Sequence, residues 1–77
     1  MLINKDTVSL EWSFVQGCFH VDRLEKSITV NIGAFLTGGY CDYVLLGVFE
    51  SDEAASAFAG RLRESRPDIF VSKEEKV

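Results

Sequence analysis

The chain holds one proline, one histidine and two cysteines among its 77 residues, and each scarcity removes a class of explanation. Disulfide-stapled secreted domains of this size carry more thiols than Cys18 and Cys41, so both are expected reduced in a cytoplasmic protein and a bond between them is disfavoured. Zinc sites rely on paired C-x₂₋₄-C or H-x₃₋₅-H ligands, and neither spacing occurs. The metal-like residues Cys18, His20, Cys41 and Asp42 are scattered, and neither a metal nor another cofactor is expected. A Cys18/His20 pair oriented by Asp22 or Asp42 is the one nucleophile arrangement on offer, and no nucleophile elbow or cysteine-protease signature surrounds it. A catalytic pocket is hard to build in so small a core, so the chain reads as non-enzymatic.

Positive charge is also scarce: eight Lys and Arg face twelve Asp and Glu, for a net charge of −4. Up to residue 60, eight acids stand against Lys5, Arg23 and Lys26 alone. Direct binding to a phosphate backbone needs clustered cations and is not expected. The rings of Trp12, Phe14, Phe19, Tyr40 and Tyr43 lack the basic groove of a single-strand stacking platform, so most are assigned to the core. Long apolar runs are absent too. The longest, Tyr43 to Phe49, falls far short of the about 20 residues that cross a bilayer as a helix. The first six residues lack the charged, apolar, small-residue order of a signal peptide, so no membrane contact is expected.

What is present suffices for one domain over residues 1–77, with 47% hydrophobic and 26% charged residues and the marginal stability of a small core. Val8, Leu10, Trp12 and Phe14 alternate with Ser9, Glu11 and Ser13, predicting a half-buried strand. A bulge at Gln16-Gly17 would carry it on through Phe19 and Val21, a reading favoured over a two-residue hairpin turn. Residues 22–26 read as a hairpin loop. Ile28, Val30, Ile32 and Ala34 then alternate with Ser27, Thr29, Asn31 and Gly33 as a second strand. Gly38-Gly39 reads as a tight turn between strands; a phosphate-binding loop is excluded because no helix and no cation follow it. In the third strand, about residues 40–50, Tyr43, Leu45, Gly47 and Phe49 fall on one face and Val44, Leu46 and Val48 on the other. Both are apolar, which predicts a central strand covered on both sides.

Ser51 is an N-cap residue followed by Asp52 and Glu53, and Ala55, Phe58, Ala59 and Leu62 form an apolar helical stripe. Arg66-Pro67 ends that helix. Residues 68–71 read as an edge strand and 72–77 as a disordered tail. The expected fold is α+β: an antiparallel sheet of three to four strands with one helix on one face, in the order β-β-β-α-β. Residues 43–62, YVLLGVF followed by SDEAA and Leu62, resemble the strand-to-helix segment of SPOR peptidoglycan-binding domains. That segment covers about a quarter of the chain. With one helix in the reading, the second βαβ half of such a domain is missing, and the similarity is taken as local.

A strand apolar on both faces under a single helix leaves one face to be closed by something else. Val44, Leu46 and Val48 are therefore the candidate dimer or partner face. The acids Asp42, Glu50, Asp52 and Glu53, joined by Asp22 and Glu25, form a candidate docking edge for a protein or protein complex with a basic surface. The function expected is a small acidic binding protein that inhibits or regulates a larger, nucleic-acid-binding complex, similar in size and charge to phage and mobile-element inhibitors of the anti-CRISPR kind. The alternatives are a structural homodimeric subunit and a small Cys/His metal-binding or thiol enzyme.

Overall fold

The computed structural model of the protein describes residues 3–39 and 42–70. Strand β1 (Val8–Ser13) is central, with β2 (Cys18–Arg23) antiparallel on one side and β3 (Tyr43–Phe49) antiparallel on the other. Helix α1 (Leu24–Leu36) joins β2 to β3, and α2 (Asp52–Ser65) follows β3. The α+β class and the antiparallel sheet agree with the sequence pattern, but the element order is β-β-α-β-α.

The alternation in β1 divides the sheet into two unlike faces. Val8 and Leu10 face α2 and pack with Ala55, bordered by Phe19, Leu46, Phe49, Phe58, Ala59 and Leu62. This is the apolar face, and the expected helical stripe forms its cover. Ser9, Glu11 and Ser13 point to the other face and are also buried. There α1 lies across the sheet, its Ser27 hydroxyl 2.5 Å from that of Ser9 and 3.3 Å from the Glu11 carboxylate.

Four expectations are corrected here. Gln16-Gly17 closes a hairpin instead of a bulge: Gly17 has φ 66° and its N–H donates to the Ser13 carbonyl at 2.8 Å. A bulge does exist, but in β3, where Leu10 pairs with Gly47 and Glu11 with Leu45. Leu46 is thereby the extra residue, so Leu46 and Phe49 both reach the core despite their odd spacing. The same bulge breaks up the proposed Val44/Leu46/Val48 face, because Val48 pairs with Ser9 on the polar side. Strand β3 is an edge, not the centre, since β1 takes both neighbours. Residues 66–70 form a turn rather than a strand, with the Ile69 and Phe70 N–H groups both donating to the Arg66 carbonyl at 3.1 Å. Val71 and the tail assigned to 72–77 lie outside the described residues.

The largest difference is that residues 22–26 end β2 and open α1, and that residues 27–34 are helical. The β-branched residues there prefer a strand, but polar side chains back-bond along a helix. Thr29 Oγ1 donates to the Glu25 carbonyl at 2.9 Å and Asn31 Nδ2 to the Ser27 carbonyl at 2.8 Å. At the far end Gly39 N–H reaches the Ala34 carbonyl at 3.0 Å and Gly38 N–H the Phe35 carbonyl at 3.2 Å, the paired closure of a Schellman cap. Gly38-Gly39 is thus a helix stop. Gly38 has the positive φ that a glycine turn implies, 80°, but the element before it is a helix and not a strand. Nothing lies within 4 Å of a Cβ built at Gly38, so Gly38→Ala tests backbone conformation alone. We expect a loss of about 1–2 kcal/mol, read as a fall of roughly 4–8 °C per kcal/mol in thermal midpoint.

Helix α2 forms as its sequence predicts: Ser51 Oγ accepts from Ala54 N–H at 3.1 Å, and the Arg66 N–H closes the last turn on Leu62 at 2.9 Å ahead of Pro67.

Candidate functional site

The N-terminus of β1 and the C-termini of β2 and β3 meet at one end of the sheet, and both helices begin there. The topology therefore gathers Asp22, Glu25, Glu50, Asp52 and Glu53 at a single end. Asp22, Glu50 and Asp52 line a shared groove with Asp6 and Arg23, of about 380 Å³. Arg23 is occupied by Asp6 at 3.0 Å and Lys26 by Asp22 at 3.5 Å, both exposed pairs worth little to stability. Glu25, Glu50, Asp52 and Glu53 carry no ion pair among the described residues, so this end of the molecule is net negative. Asp6 was not singled out from sequence, and only its position at the mouth of β1 places it here.

Asp42 does not join this edge. It sits at the opposite end, where its carboxylate accepts from the Ser13 hydroxyl and from Val15 N–H at 3.1 Å. Gln16 N–H in turn donates to Ser13 Oγ at 3.0 Å. Asp42 is thus engaged in holding the β1–β2 turn to the start of β3.

The Cys18/His20 pair is brought together, Sγ lying 3.5 Å from Nε2, but its third member is Gln16, whose Oε1 is 2.8 Å from the same nitrogen. Asp42 is committed elsewhere, and Cys41 lies outside the described residues. Among the described residues no group of three His, Cys, Asp or Glu is arranged to hold a metal ion. At the exposed turn after α2, the Arg66 guanidinium hydrogen-bonds Asp68 at 2.8 and 3.0 Å and holds its carboxyl below the usual range, while Asp68 raises Arg66 in return.

Two surfaces are unusual for a small domain. The first is α1, which turns Ser27 and Asn31 toward the sheet and leaves Ile28, Val30, Ile32, Phe35 and Leu36 exposed, the last two at 79% and 74%. Beside its N-terminal half, Ile3, Leu24 and Ile28 line a cleft of about 380 Å³ rimmed by Glu25 and Lys5. The second is the outer edge of β3, with Val44 and Leu45 exposed and no strand beside it among the described residues. Among the described residues no helix is long and apolar enough to cross a membrane. No protein-family model, curated protein or solved structure matches the chain.

Proposed function

We propose that the chain is a non-enzymatic binding protein that docks on a larger protein with a basic surface and inhibits or regulates it. The concrete form of this reading is occupation of a nucleic-acid-binding site on the partner, as an anti-CRISPR-like inhibitor would do. The observation that carries the proposal is the inverted helix α1, whose apolar side faces outward next to the acidic sheet end. A contiguous apolar patch rimmed by charge is the composition of an interaction surface. Here Ile28 and Phe35 would anchor the complex while Glu25, Glu50, Asp52 and Glu53 supply charge complementarity and speed association.

Crosslinking mass spectrometry on complexes recovered from the native source tests this. The expected result is a stoichiometric partner whose crosslinks map to α1 and the acidic end. Ile28→Lys/Phe35→Lys and Glu50→Lys/Asp52→Lys/Glu53→Lys should each abolish it, with stability changed by less than about 0.5 kcal/mol per exposed site, apart from a loss of about 0.3–1 kcal/mol for each reversal in the first turn of α2. Recovery undiminished by both sets of changes would sink the reading.

A structural homodimer is the second reading, favoured by the open edge of β3, which carries none of the Lys or Pro that usually guard an apolar edge strand. Light scattering across dilution separates the two: a mass that doubles with concentration and reverts on Leu45→Lys supports the dimer.

A further inference from the structure

A cavity of about 230 Å³ lies between α1 and the polar face of the sheet, lined by Glu11, His20, Asp22, Lys26, Ser27 and Tyr43 among others. Its floor is the Glu11 residue, only 6% exposed. Burying a carboxylate is costly unless its charge and lone pairs are met. Here one oxygen, Oε1, accepts from the Ser27 hydroxyl at 3.3 Å, and Oε2 has no hydrogen-bond partner among the described residues. Yet no wholly buried polar side-chain atom among the described residues is left without a hydrogen bond. Oε2 is therefore not wholly buried, and the cavity that Glu11 lines is the opening beside it.

The other polar groups of the lining are committed in a pattern that leaves acceptors over. Lys26 pairs with Asp22, and His20 Nε2 is held by Gln16. Asn31, which also lines the cavity, uses its amide nitrogen on the Ser27 carbonyl, and its Oδ1 has no partner among the described residues. Tyr43 adds a phenol oxygen and a ring that meets His20 edge-on at 4.7 Å, and Val30 adds an apolar wall. What remains is a carboxylate oxygen, an amide oxygen and a phenol oxygen between aromatic and aliphatic walls, with Asp22 and Lys26 paired to each other at the exposed rim.

We propose that this cavity binds a small organic cation, a primary ammonium ion seated on Glu11. An –NH₃⁺ group presents three donors and no acceptor, which matches three leftover acceptors. Its charge neutralises the carboxylate, and an electron-rich ring favours a cation beside it. A divalent metal ion is the poorer occupant, since no three of His, Cys, Asp or Glu among the described residues are arranged to hold one. The volume, below the range of drug-sized ligand sites, restricts the guest to a few heavy atoms.

The test is a ¹H–¹⁵N correlation titration of the full chain with n-butylammonium chloride at constant ionic strength, with n-butanol and sodium butyrate as arms of the same length. Saturable shifts at the Glu11, Ser27, Asn31 and Tyr43 amides are expected with butylammonium alone, at a dissociation constant in the millimolar range. Glu11→Gln, which keeps shape and acceptor oxygen, should bind at least tenfold more weakly while the rest of its spectrum is retained. Three results overturn the proposal: no saturation by about 100 mM butylammonium, equal response to butanol, or binding seen only in Lys26→Met. The last would make the Lys26 ammonium the cation that Glu11 serves. The first two arms need only the unaltered protein, so the proposal stays falsifiable if Glu11→Gln does not fold.

Discussion

Trp12→Ala is expected to cost about 3–5 kcal/mol, the range for truncating a buried aromatic side chain. A 77-residue domain has about 4–12 kcal/mol of total stability, so the substitution removes a large share of it and the unfolding midpoint should fall steeply. Trp12 is 3% exposed at the end of the central strand. Its ring meets Phe19 at 4.8 Å and Phe70 at 5.1 Å, both edge-on, and these two stack at 5.2 Å. The substitution thus opens a cavity beside the core and removes the main attachment of the 66–70 turn, whose Phe70 would lose one of its two ring partners. The change also deletes the chain's one tryptophan, so far-UV circular dichroism against urea is the measurement. A midpoint like that of the unaltered protein would show that the aromatic trio is a surface cluster and that Val8, Leu10 and Ala55 carry the fold alone.

How much of this was legible depended on whether a segment obeyed one periodicity or two. Val8 to Ser13 has a single reading, strict alternation, and forms a strand; Ser51 to Leu62 likewise satisfies only a capped helix. Residues 24–36 satisfy both. Ile28, Val30, Ile32 and Ala34 alternate, yet Leu24, Ile28, Ile32, Phe35 and Leu36 also recur at helical spacing. Local propensity voted for a strand, and the decision was made elsewhere, because β1 can pair on only two edges and both are taken by β2 and β3. Gly38-Gly39 then had to stop a helix, and β3 had to become an edge. The candidate site followed the same logic. Its end-of-sheet acids were readable because Asp52 and Glu53 follow the strand directly, whereas the role of Asp42 depends on a turn that sequence alone had assigned as a bulge. Glu11 was passed over because a polar residue on an alternating strand normally faces water, and only the misread helix covers it.

Ser27→Val is the substitution that asks whether α1 belongs where it lies. The Ser27 hydroxyl is the one side-chain link from the helix to Ser9 and Glu11 beneath it. Leu24 N–H to the Thr7 carbonyl at 2.9 Å is a backbone tie near its start. Valine removes the donor that Glu11 uses, sets methyl groups against a hydroxyl that stood 2.5 Å away, and leaves Glu11 Oε1 without its hydrogen bond. Removing a hydrogen-bond donor from a buried carboxylate costs on the order of 1.5–3 kcal/mol, and the exposed apolar side of α1 gives the helix no compensating contact with the sheet. Local release should be easier than global unfolding, as for any element with few buried contacts. Amide hydrogen exchange should therefore show protection lost across residues 24–36, while β1 and α2, held by Leu10 and Ala55, stay protected. Ser27→Thr, which restores the hydroxyl, should recover part of the protection. Loss of protection spread evenly over both helices would mean that α1 and the core unfold as one unit, and uniform protection would mean that the Ser9–Ser27–Glu11 contacts contribute nothing to its placement.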